Sequence, residues 1–61
     1  MKPKIIIRET DHNSTIIGRA MNILKIFSLE KLTGFLNDIE QKKDLKIILT
    51  KYFEVIVKKK K

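Results

Sequence analysis

Asp11 and His12 stand side by side after a run of isoleucines, and a carboxylate beside an imidazole is a pairing used for general acid–base catalysis. The surroundings argue against that use. Adjacent residues in a turn point apart, and no serine or cysteine lies in a recognisable nucleophile motif. A chain of 61 residues can hardly enclose the concave site such chemistry needs. Asp11, Asn13 and Ser14 read instead as structural: Asp11 and Asn13 tie down a turn through side-chain to backbone bonds, and Asn13 or Ser14 caps a helix. With no cysteine and one histidine, no thiolate or multi-histidine metal site is available. The reading is of a non-enzymatic protein with no catalytic, cofactor-binding or metal-binding residues.

Cations are the other chemistry on offer. The chain carries a formal net charge of +7, and the excess is uneven. Residues 1–41 hold six basic and five acidic side chains, whereas residues 42–61 hold eight basic and two acidic ones. Lys58, Lys59, Lys60 and Lys61 supply half of those eight and read as a flexible basic tail outside a domain of residues 1–57. Lys4 and Arg8 alternate with Ile5 and Ile7 on a strand. Together with the lysine run they are the candidate nucleic-acid contacts.

Pattern places these residues on elements. Pro3–Glu9, with three β-branched residues in a row, predicts a strand. Helical spacing then puts Ile16, Ala20, Ile23, Leu24 and Phe27 on one arc with Ile17 and Met21, broad enough for a helix buried on more than one side. Ser28 breaks that period and reads as the cap of a second helix, with Leu29, Leu32, Phe35, Leu36 and Ile39 as its buried stripe. Asp44 can cap a third helix. Leu45, Ile48, Leu49, Tyr52 and Phe53 fit helical spacing while Ile47, Ile48 and Thr50 suit a strand, so Leu45 to Phe53 is open between the two, with helix expected up to about Tyr52. Tyr52 and Phe53 read as core rather than as a base-stacking pair. Glu54–Val57 alternates and predicts a second strand that pairs with the first. The fold class is α+β, in the order strand, helix, helix, helix, strand.

Small size predicts assembly. A domain of this length without disulfides gains from burying surface against a second copy, and two strands alone make a marginal sheet with open edges. A homodimer is expected. No apolar run approaches the length of a membrane span, and the first residues lack a signal-peptide core, so a cytoplasmic protein without membrane association is expected.

Gly18 lies inside the first helix, where glycine costs roughly 1 kcal/mol relative to alanine. Either it allows close packing within the chain, or it lets a partner approach. Gly18, Asn22 and Lys25 share the helix face opposite the apolar arc and are the candidate partner-binding residues.

The segment Asp11–Leu24 resembles a family of small uncharacterised bacterial and phage proteins with the motif D-G-N-A-x-x-I-x-G-R-V-x-x-A-L. Asp11, Asn13, Ile17, Gly18, Arg19 and Leu24 carry the likeness in that order, while His12 and Ser14 stand where the family has glycine and alanine. The resemblance implies a phage or prophage product that binds a host protein, such as a component of a defence system. The alternative is a dimeric nucleic-acid-binding regulator similar to ribbon-helix-helix repressors, in which a strand bearing Lys4, Ile6 and Arg8 precedes two helices.

Overall fold

The computed structural model describes residues 1–59. Its elements are β1 (Lys4–Arg8), α1 (Asn13–Phe27), α2 (Leu29–Glu40), α3 (Leu45–Tyr52) and β2 (Glu54–Lys58). The two strands pair in parallel, in a register that sets Lys4 against Glu54, Ile6 against Ile56 and Arg8 against Lys58. Parallel neighbours cannot be joined by a tight hairpin, so the three helices form the crossover between them. The α+β class, the element order and the pairing of the terminal strands are as the sequence predicts.

The pleat divides the sheet. Ile5 and Ile7, with Val55 and Val57 opposite them, take the side covered by the helices, and Ile5 is fully buried. Lys4, Ile6 and Arg8, with Glu54, Ile56 and Lys58, take the open side. Beneath the covered side, the core joins Ile5 to Ile16, Ala20 and Leu24 of α1, Phe35 of α2, Ile48 and Leu49 of α3, and Phe53. Phe35 meets the rings of Tyr52 and Phe53 edge to face, with centroids 6.0 and 6.2 Å away. Truncating so central a ring to alanine costs about 3–5 kcal/mol.

The joints follow from local chemistry. Ser28 adopts extended backbone dihedrals, ends α1 by donating its amide to Leu24 O, and starts α2 by accepting from the Lys31 amide at its hydroxyl. After α2, Lys42 adopts a φ of 59°, donates to Ile39 O and lets Lys43 donate to Asp38 O. That is a Schellman turn, with lysine in the left-handed position usually given to glycine. Asp44 Oδ1 then accepts from the Lys46 amide and starts α3.

Four expectations need correction. α1 is capped at His12 without a side-chain bond, so neither Asn13 nor Ser14 acts as its cap. α1 buries Ile16, Ala20 and Leu24 and packs Ile17, Met21 and Ile23 partly against the same core, so its broad apolar arc stands, but Phe27 at the end of that arc is exposed. Leu29 and Leu36 of α2 face outward, because α1 and α3 between them reach only the Phe35 side of that helix. Lys58 belongs to β2 and not to a tail, since the parallel ladder continues to Arg8. Lys60 and Lys61 lie outside the described residues.

Candidate functional site

Arg19, in the second turn of α1, reaches back to the first strand. Its Nη1 donates to the Ile6 carbonyl at 2.7 Å and to Asp11 Oδ2 at 2.8 Å. The same Asp11 oxygen accepts the Arg8 amide at 2.9 Å, and the Asp11 amide donates to Arg8 O at 3.0 Å. The polar turn is thus structural, as its composition suggested, but it braces a strand instead of capping a helix. The Arg19 guanidinium, helped by the Arg8 amide, holds the Asp11 carboxyl below the ordinary carboxylate range. A carboxylate so engaged is a poor proton acceptor. His12 is exposed at the start of α1.

The candidate partner face is open along its length. Gly18, Asn22 and Lys25 are all exposed, and a methyl group added at Gly18 would meet no atom within 4 Å. This removes close packing within the chain as the reason for the glycine. The face leads to a corner that the sequence did not single out: Ile26, Phe27 and Leu29 are 90, 43 and 66% exposed. Ile26 has the strongest sequence signal, since it falls one position off the buried stripe of α1 while being too large and apolar for a solvent face.

Of the candidate nucleic-acid contacts, Lys4, Arg8 and Lys58 meet on the open side of the sheet. Arg8 and Lys58 sit directly opposite each other across the strands, with Lys59 next in sequence. Among the described residues, no carboxylate oxygen lies within ion-pair distance of their side-chain nitrogens. Like charges in cross-strand register oppose pairing. Two anions border this cluster, Glu54 opposite Lys4 and Glu9 beside Arg8, Lys58 and Lys59.

A polar centre that the sequence reading missed joins α2 to α3. Asp38 is 4% exposed and accepts from Lys43 Nζ at 3.1 Å, Lys51 Nζ at 3.3 Å and Tyr52 Oη at 3.1 Å. Lys43, foremost among these, holds the Asp38 carboxyl below its ordinary value despite burial, and Asp38 in turn raises Lys51. Tyr52 reaches Asp38 across Gly34, where an added methyl carbon would come within 2.7 Å of the phenol oxygen. Both cations of this centre remain half-exposed, and it binds two helices together.

Among the described residues, no group of three or more histidine or acidic side chains is placed to hold a metal ion, and no helix is long and apolar enough to cross a membrane. Compared with family models, curated proteins and solved structures, the chain matches none. Counted from Asp11, the family motif would also place its glycine one position after Gly18, so that likeness rests on residue order and not on spacing.

Proposed function

We propose that this chain is a small non-enzymatic binding module that acts by occupying a partner protein through the open face of α1 and the corner beyond it. The observation that carries this reading is the corner itself: three large apolar side chains, Ile26, Phe27 and Leu29, stand in solvent within one short stretch. Contiguous exposed apolar surface beside polar residues marks interaction sites. Gly18 and Asn22 leave the adjoining helix face low and flat, so that a partner backbone can approach it. The partner is an acidic protein that presents apolar side chains, because a chain of net charge +7 with Lys25 beside the corner attracts negative surfaces. The resemblance of the Asp11–Leu24 segment adds a host protein of a phage or prophage as the kind of partner.

The test is photo-crosslinking in cells that contain the partner, with the crosslinker at Asn22 and, as a control, at Lys46. The reading requires a single adduct from Asn22 that identifies an acidic protein and is lost when Ile26 and Leu29 are both replaced by aspartate. Equal adducts from both positions contradict it.

A second reading has its own observation, the cations Arg8 and Lys58 abreast on the open sheet face, without an ion pair among the described residues. A phosphate backbone would relieve their repulsion. Under this reading, binding to a duplex oligonucleotide weakens with salt, and the Arg8→Ala and Lys58→Ala changes each lower the slope of log K on log salt by about 1.

A further inference from the structure

The two strand edges of the sheet are treated differently. On β1, three of the outward backbone groups, the Ile6 carbonyl and both groups of Arg8, are occupied by Arg19 and Asp11 through contacts at 2.7, 2.9 and 3.0 Å. On β2, among the described residues, the backbone bonds only toward β1. The Glu54 amide donates to Pro3 O, so by alternation Glu54, Ile56 and Lys58 turn their backbone groups to β1 while Val55 and Val57 present theirs at the free edge. Charges and bulges normally protect such an edge, yet here charge occurs only at its two ends.

Those ends are complementary. β2 reads Glu54-Val55-Ile56-Val57-Lys58, a palindrome in residue class with opposite charges at its termini. We infer that β2 is a self-association edge: two copies of the chain pair antiparallel along β2 in the register that sets Ile56 against Ile56. In this register each Val55 lies opposite Val57 of the second copy, and both such pairs exchange N–H···O bonds, using the groups that the free edge presents. Glu54 lies opposite Lys58 of the second copy at both ends, a favourable cross-strand pair. Directly opposed residues point to the same side of a sheet, so the helix-covered sides of the two copies coincide. A parallel pairing would set Glu54 beside Glu54 and Lys58 beside Lys58. An antiparallel slip to a two-fold at Val55 or Val57 would set Glu54 or Lys58 against Ile56.

The covered side of this edge also has room. An open groove of about 600 Å³ lies on that side, with Ile7, Leu45, Leu49, Val55 and Val57 as its apolar lining and Asp44, Lys46 and Thr50 among its polar lining, and Val57 is 58% exposed. The second copy's valines extend the apolar floor of that groove, and the sheet grows to the order β1, β2, β2, β1, past the marginal two-stranded size. This inference uses a different surface from the α1 face and stands or falls separately from the function proposed above.

The full chain tests it directly, since its sequence contains no cysteine. Ile56→Cys places two thiols in a non-hydrogen-bonded pair at about 4.5 Å between α-carbons, within the reach of a disulfide. Oxidation must give a covalent dimer, whereas Val57→Cys, whose residue faces position 55 of the second copy, must not. By sedimentation, Glu54→Lys and Lys58→Glu must each weaken the unmodified dimer about tenfold or more, and the double exchange must restore it. Glu54 and Lys58 also face Lys4 and Arg8 across the chain's own sheet, so the charge variants are compared at unchanged melting midpoint, and on that footing they keep the test valid if the cysteine variants fold poorly. A monomer at every soluble concentration, a dimer that Ile56→Cys does not crosslink, or a double exchange that fails to restore dimerisation overturns the inference.

Discussion

Asp11, in the turn between β1 and α1, and Arg19, in α1, are 2.8 Å apart and between them occupy the outer backbone groups of Arg8 and the Ile6 carbonyl on the first strand. One guanidinium fixes the helix to the strand and covers an edge carbonyl, so the turn that carries the most distinctive residues of the chain acts as an edge guard.

Replacing Arg19 with leucine keeps a helix former but uncovers the Ile6 carbonyl and leaves Asp11 without its cation. The expected outcome is a lower melting midpoint together with assembly that grows with concentration and is seeded at β1. Thermal melts and light scattering of the variant check both parts. An Asp11→Asn variant should show the same changes more weakly, since an amide oxygen still accepts the Arg8 amide.

Gly18→Ala should stabilise the fold by about 1 kcal/mol, because the helix gains propensity and the added methyl meets nothing. Chemical denaturation measures this. The same change should weaken partner binding through the α1 face, so stability and binding move in opposite directions.

Gly34→Ala should do the reverse. The gain in helix propensity, about 1 kcal/mol, is outweighed by displacement of the Tyr52 hydroxyl, a crowding effect of about 1–3 kcal/mol. In a Tyr52→Phe background the obstructing oxygen is gone, and Gly34→Ala should become stabilising. Denaturation of the two single variants and the double variant decides the sign.

Stability should fall on acidification through the two engaged carboxylates. Asp38 and Asp11 both titrate below their ordinary value of 3.8 in the folded chain. The unfolded chain therefore takes up protons first, and the stabilisation they give, complete above the ordinary carboxylate range, is lost as pH drops from that range through the lowered values. Urea unfolding between neutral pH and pH about 3 should show this loss, and Asp38→Asn should flatten part of it.

The architecture was legible because each element carries its own local signal. Ser28 and Asp44 cap where their types suggest, and the β-branched runs at Ile5–Ile7 and Val55–Val57 form the strands. Legibility ended where long-range partners decide. Asp38 looks like an ordinary surface acid until the turn at Lys42 and the packing of α3 bring Lys43, Lys51 and Tyr52 to it. Asp11 could be read as a turn residue, but its engagement with Arg19 depends on how α1 lies on β1. Period alone places Leu29 and Phe27 in the core, but three short helices do not offer enough surface to cover them. The open corner, which carries the proposed function, is therefore where the periodic reading failed.

The measurement closest to the central claim is the affinity of the purified chain for its crosslinked partner, compared with that of an Ile26→Asp, Leu29→Asp variant of unchanged melting midpoint. If occupancy of the α1 face and its corner is the function, the variant loses about a hundredfold or more in affinity, as loss of central apolar anchors does. An affinity unchanged by the two aspartates would contradict the account.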